Sequence, residues 1–333
     1  DDVLPFFKKS QDMTDSIVLK DSTFHGTGGH LTTERFKFRD PIVRDVVNAM
    51  QELGYPENLD FNGESMIGFG ELHGTIRNGK RCSTAKAFLV PAKDRSNLHV
   101  AKLSQVTKIL IDPKTKRVEG VSFQRKGHHV QRVKVSKEVV LSAGAINSPQ
   151  LLMLSGIGPR EHLEEIGINP VVADLKVGLN LQDHHLYSAL IIGLDKSTTK
   201  GVPELYVHDE WYEYLTRGTG AFSTIENLGM SGFIHTNISS QDVDKDFPDM
   251  QLHFYGFKAN NTLAIESVIT SYGYSEETAK SFREMIKEMD ILVPIPTLLR
   301  PKSRGRILLK NSDPFQHPRI LAGYYTDPED VEK

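Results

Sequence analysis

The chain has 333 residues and a single cysteine, Cys82. One cysteine excludes an internal disulfide and a thiolate metal site, and it leaves the redox compartment open. The 13 histidines are not grouped at metal-ligand spacing, so no metal site is expected. No apolar run approaches the ~20 residues needed to span a bilayer. A surplus of charge of one sign is lacking too: 40 Lys and Arg stand against 43 Asp and Glu, a formal net charge of −3. That balance offers no electrostatic case for nucleic acid as a partner. No serine stands in a nucleophile-elbow context, so Asp183 and His184 of "NLQDHH" do not make a hydrolase triad. "GFGELHG" (68–74) and "FHGTGGHL" (24–31) both miss the G-x-G-x-x-G spacing of a dinucleotide loop, and the first reads as a turn-rich segment. The chain starts at Asp1 with no leader, and both ends read as mid-domain text, which points to a fragment of a longer protein.

What is present reads as globular and soluble, with 38% hydrophobic and 25% charged residues. Asp40 and Pro41, followed by Ile42, Val43, Val46, Val47, Met50 and Leu53 and closed by Gly54, predict a helix. "EETAKSFREMIKEMD" sets Phe282, Met285, Ile286 and Met289 on one helical stripe, a core-packing pattern. From residue 97 to 144 the period changes to two. "LHVAKLSQVTKILID", "RVEGVSFQRKG" and "VQRVKVSKEVVLSAG" predict three strands of a meander, the last returning as a buried strand at its end. Ser148 and Pro149 then read as the cap and first turn of a helix stopped by Gly156, and a second runs from Pro159 to Gly167. "HTNISSQDVDKDFP" (235–248) is the most loop-like stretch.

"VVLSAGAINSPQLLMLSGIGP" (139–159) places its smallest residues, Ser142, Ala143, Gly144 and Ala145, where strand hands over to helix. Small residues there permit two things: close packing of helix on strand, or approach of a ligand to the helix N-terminal amides. The pattern alone does not choose between them.

The longer string "GAINSPQLLMLSGIGP" resembles a sequence signature of the glucose-methanol-choline oxidoreductases. "KRCSTAKAFLVPAKDRSNLHV", "VGLNLQDHH", "KSRGRILLKNSDPFQHPRI", "DDVLPFFKKSQD" and "FHGTGGHL" extend the likeness over nearly the whole chain, nearest in character to the animal glucose-dehydrogenase-like branch. The resemblance implies an α/β fold, α+β overall. It would have an FAD-binding parallel-sheet domain with a β-meander and an antiparallel-sheet substrate domain, both incomplete here. It implies residues 1–185 as the N-terminal region, with FAD-domain portions mainly in 76–185 and substrate-side segments around 21–75. Residues 186–300 would be the substrate-binding region and 301–333 the start of the C-terminal region. FAD is the implied cofactor, with Ser142, Ala143, Gly144 and Ala145 beside it and Val106 at its adenine end. Asn180, Asp183 and His184 are candidates for the surrounding shell, with a capped, hydrogen-bonded loop as the alternative, while His25 and His30 are expected to be structural. "FHGTGGHL" would begin the substrate-side sheet. The Gly-rich pyrophosphate turn and the catalytic histidine pair are expected outside these residues, so no catalytic residue is named. The implied reaction is oxidation of an alcohol, a sugar such as glucose leading, with a quinone or dye-like acceptor. Choline, steroid and other alcohols, oxygen as acceptor, and a non-catalytic relative that kept the fold stay open. The triplets Asn237-Ile238-Ser239 and Asn260-Asn261-Thr262 fit the glycosylation pattern and suit a secreted protein.

Overall fold

"DILVPIPTL" is apolar on both faces and needs cover on both sides, while "MQLHFYGF" alternates Met250, Leu252 and Phe254 with Gln251, His253 and Tyr255. In the computed structural model both sit between helices. The structure describes residues 2–20, 23–195, 207–224, 228–236, 238 and 246–333. The chain divides into two compact units, one of residues 1–98, 184–300 and 333, the other of 99–183 and 301–332. Helices and sheets are mixed in both. No described helix is long and apolar enough to cross a membrane.

The first unit is built on a six-stranded sheet in the order His185–Leu186, Asp290–Leu298, Met250–Phe257, Met230–Ile234 and Gly68–Glu71. The sixth strand, Ile192–Leu194, pairs with the other end of Asp290–Leu298. All of its pairings are antiparallel. Helix Ile42–Glu52 lays Ile42, Val43, Val46 and Val47 on one face, against Phe69, Met230, Phe254 and Leu292. Helices Thr262–Tyr272 and Glu276–Glu288 cover part of the other, packing Ile265, Ile269, Phe282 and Ile286 on Phe257, Ile291, Val293 and Ile295. Both helices carry side-chain N-caps: Asn261 Oδ1 accepts from the Ala264 amide, and Ser275 Oγ from that of Thr278. Phe282 is fully buried, so its truncation to alanine would cost about 3–5 kcal/mol.

Gly68 and Gly70 of "GFGELHG" belong to this sheet, which corrects the turn-rich reading. Gly68–Glu71 pairs with Met230–Ile234. A side chain at Gly70 would strike the Asn58 carbonyl, and one at Gly232 would strike the Phe69 ring. These glycines serve close approach rather than turning. "FHGTGGHL" is likewise corrected: it leads into strand Leu31–Arg35, which pairs with Gln11–Met13 and His73–Gly74 in a separate three-stranded sheet.

Beside that small sheet lies a buried charged knot. Asp15 accepts from the His73 ring at 2.8 Å, from Arg35 Nε at 2.7 Å and from the Ile17 amide at 2.9 Å. Its side chain is 7% exposed and that of His73 is 2%. Burial pushes the Asp15 carboxyl up, but the His73, Ile17 and Arg35 hydrogen bonds outweigh it and hold the pKa at about 2. Arg35 also reaches Glu71, which pairs with Arg39 at 3.0 Å.

The second unit opens with the meander. Ser104–Ile111, Val118–Arg125 and Val130–Lys134 pair antiparallel in that order. Helix Gly144–Leu154 and a shorter one, Arg160–Glu165, follow. A three-stranded sheet closes the unit, with Gly305–Leu308 between Leu179–Leu181 and Arg319–Leu321. Met153, Leu154, Leu163, Ile307 and Leu309 form its core. Parallel pairing among the described residues is confined to 11–13 with 31–33, 157–158 with 172–173 and an isolated bridge between Glu57 and Phe69.

Candidate functional site

The handover from meander to helix departs from the sequence reading in two ways. The expected buried strand at 139–143 is not one. The residues from Glu138 to Ser142 pair with no strand among those described, and Val140 is 78% exposed. Its apolar pattern needs a sheet neighbour on each side, and the meander ends with Val130–Lys134. The helix also begins earlier than Ser148. It runs from Gly144 and carries Pro149 inside it, while the Ser148 Oγ accepts from the Ala143 amide at 3.2 Å. Serine thus satisfies the amide before the helix from within the first turns, and proline is tolerated close to a helix start.

Ser142, Ala143, Gly144 and Ala145 are all exposed. Gly144 has φ +88°, and a side chain built there would meet nothing within 4 Å. No acidic residue stands in the first turn of the helix. The small residues therefore do not serve close packing within this chain. They leave a helix N-terminus, with its unpaired amides and positive dipole end, open to an electron-rich group.

The other end of that helix is fixed firmly. Ser155 Oγ accepts from the Ile109 amide at 2.8 Å and donates to the Leu151 carbonyl at 2.6 Å. Gln150 donates to the Gln316 carbonyl at 2.8 Å. Ile109 lies on the first meander strand, the one that carries Val106. Val106 is opposite Phe123, just before a bulge, and is 36% exposed. One unit thus holds Val106 and the turn at Gly144 on elements joined by a buried hydrogen bond. A groove of about 550 Å³ begins beside Val106, lined by Leu103, Ser104, Gln105, Gln124, Lys126 and Phe315.

Asn180 and Asp183 acquire partners that the sequence reading missed. Asn180, at φ +62°, accepts from Arg304 Nε at 3.1 Å. Asp183 accepts from the Tyr324 hydroxyl at 2.5 Å, and that hydrogen bond, with some burial, holds the tyrosine pKa up. His184 is exposed and belongs to the other unit. His25 is buried, with Nε2 2.8 Å from Asp60 and Nδ1 3.2 Å from Gln11, a structural setting. His30 stacks edge-on against Phe88. In the first unit, register sets Ser231, Gln251, His253 and Thr297 on one face of the six-stranded sheet, beyond the part its two helices cover. Ser231 Oγ accepts from Gln251 at 3.0 Å, giving a polar patch on an otherwise apolar sheet.

The family model of GMC oxidoreductases matches residues 1–186, more than half of the chain. The chain belongs to this family. It is 35% identical over 335 residues to a glucose dehydrogenase of Drosophila pseudoobscura pseudoobscura named for FAD and quinone, covering 99% of this chain and 49% of that protein. It is 31% identical to an ecdysone oxidase of Bombyx mori, covering 99% and 48%. It is 34% identical to the mitochondrial choline dehydrogenase of Homo sapiens, covering 99% and 50%. The chain therefore spans about half the length of the curated relatives it matches. Among solved structures, a formate oxidase of Aspergillus oryzae shares the fold at TM-score 0.79 and 22% identity, with 100% of this chain and 58% of that one covered.

Proposed function

We propose that this chain is part of an FAD-dependent oxidoreductase acting on the CH–OH group of a small alcohol, with a sugar such as glucose as the leading substrate and a quinone or dye-like acceptor. The observation that carries the reading is the open helix N-terminus at Gly144, on a helix tied to the meander. When bound, FAD supplies a hydride acceptor, and the protein's share is positioning and electrostatics. Ser142, Ala143, Gly144 and Ala145 would hold the cofactor through small side chains and first-turn amides. Val106 and the groove beside it would take the adenine end. The polar patch of Ser231, Gln251, His253 and Thr297 supports 186–300 as the substrate region, with segments around 21–75 on the substrate side, 76–185 mainly on the flavin side and 301–333 opening the C-terminal region. The likeness to an insect glucose dehydrogenase and an ecdysone oxidase supports secretion.

The test is Gly144→Val in the full-length protein. A branched side chain at φ +88° would project into the open space and exclude the flavin. Gly127→Val is the control, because Gly127 also has positive φ with open space around it, in the turn after the second meander strand. The expected result is loss of flavin absorbance in the first variant only. Full flavin occupancy in Gly144→Val, or equal loss in both, overturns the reading.

A further inference from the structure

The near-neutral charge of the chain hides a sharp asymmetry. Residues 99–137 contain ten Lys or Arg against two acidic residues, and the rest of the chain holds thirty against forty-one. All ten cations are exposed on the meander and its turns. Register sorts them further. Lys108, Ser122 and Arg132 lie directly opposite one another across the three strands, and Lys134 lies opposite Gly120 on the same face. Strand geometry separates Lys108 from Arg132 by about 10 Å and Arg132 from Lys134 by about 7 Å. Arg125, three residues from Ser122 on the middle strand, lies on the opposite face, and Arg117 and Lys126 stand at the two ends of that strand.

Lys108, Arg125, Lys126, Arg132 and Lys134 form no ion pair among the described residues. The two acidic groups do not neutralise the face. Asp112 is occupied by the Lys114 and Thr115 amides and the Thr115 hydroxyl, which hold its carboxyl pKa down. Glu119 lies out of step with Gly120 and Ser122, so it points to the opposite side of the sheet. Unneutralised like charges on neighbouring strands are unfavourable for the fold itself. Their arrangement flanks the middle strand, with Lys108 on one side and Arg132 and Lys134 on the other.

We infer that this face of the meander docks a linear polyanion, specifically a sulfated polysaccharide. Charge complementarity names the polyanion, and cations flanking the middle strand favour a chain that runs along it. Between the cations stand Ser122, Gly120 and the partly buried Leu110. No aromatic ring at these positions is available to stack on a nucleobase, and Val130, opposite Gln124 at the far end of the face, is a single small apolar group rather than a surface that enters a bilayer.

The experiment measures binding of the flavin-loaded full-length protein to heparin across a salt series. Random-sequence duplex DNA and phosphatidylcholine vesicles with 30% phosphatidylserine run in parallel. The variant is the triple substitution Lys108→Gln, Arg132→Gln and Lys134→Gln. Its control, Lys80→Gln, Lys280→Gln and Lys287→Gln, removes the same charge from exposed lysines of the other unit. Heparin should bind the parent at ~0.15 M salt. The meander variant should lose on the order of 100-fold in affinity, with the slope of log K against log salt reduced by about three. The control should bind like the parent. No heparin binding, equal loss in both variants, or DNA or vesicles bound as tightly as heparin overturns the inference.

Discussion

Replacing Asp15 by asparagine removes the charge at the centre of the buried knot while keeping its shape. The native carboxyl titrates at about 2 rather than near 3.8, so the folded state holds the ionised form more tightly than the unfolded chain does. That difference corresponds to about 2.5 kcal/mol of stability. Because the folded pKa is the lower one, the contribution is fully present above about pH 4 and is lost as pH falls toward 2. Asparagine abolishes it at every pH and leaves Arg35 with Glu71, 3.4 Å away, as its remaining acidic partner. The total cost at pH 6 should be on the order of 3 kcal/mol, typical of breaking a buried pair. The distinguishing quantity is the pH dependence of the gap between parent and variant. Between pH 6 and pH 3 it should narrow by about 1 kcal/mol, because the unfolded parent takes up a proton that the folded parent still refuses. Urea unfolding of both proteins in parallel at the two pH values measures it. A gap that stays constant would show that pairing to His73 and Arg35 does not hold the carboxylate down, and the account of the knot would be wrong.

Three other outcomes follow from described geometry. Ser155→Ala should strand the buried Ile109 amide, cost about 1–3 kcal/mol and weaken flavin retention, read from the melting temperature and flavin absorbance of the variant. Cys82→Ala should keep turnover and flavin, with a stability loss near 1 kcal/mol, because Cys82 is a buried small hydrophobe whose thiol lies 3.9 Å from the His30 carbonyl; loss of most turnover in a flavin-loaded variant contradicts this. Asn260 is exposed at the start of helix Thr262–Tyr272, so protein secreted from animal cells should shift in mass on glycosidase treatment and Asn260→Gln should remove that part of the shift. Asn237 and Ser239 of the other triplet lie outside the described residues, as does much of the loop-like stretch around them.

Where local chemistry decides, the sequence reads cleanly. Pro41 and Gly54 bracket helix Ile42–Glu52, and Phe282 and Ile286 on their predicted stripe are fully buried. The three meander strands emerge from a period of two. Where a partner distant in sequence decides, the reading fails. "GFGELHG" is a strand because Met230–Ile234 and the Asn58 carbonyl demand small residues beside them, and nothing within seven residues says so. "VVLSA" has strand composition, yet composition does not supply the neighbour a strand must pair with. At the candidate site, the small residues pointed to Gly144, but Ser155, Arg304 and Tyr324 became visible only with their distant hydrogen-bond partners. The basic face was lost by averaging, since a net charge summed over two units reports neither.

The division of the chain into interleaved units has a consequence for biosynthesis. Strand Leu179–Leu181 finds its partner Gly305–Leu308 only after more than a hundred further residues, and Arg319–Leu321 follows later still. At ordinary elongation rates of about 5–20 residues per second, roughly seven to thirty seconds separate synthesis of the first strand from that of the last. Through that interval Met153, Leu154 and Leu163 are made, but Ile307 and Leu309, which complete their core, are not. The meander and its helix therefore leave the ribosome as an unfinished unit with apolar surface uncovered, while the residues of the other unit are translated. A ribosomal pause between residues 184 and 300 would lengthen that exposure rather than give a finished domain time to fold. Rare codons there should lower the yield of folded protein, whereas the same codons beyond residue 321 should leave it unchanged.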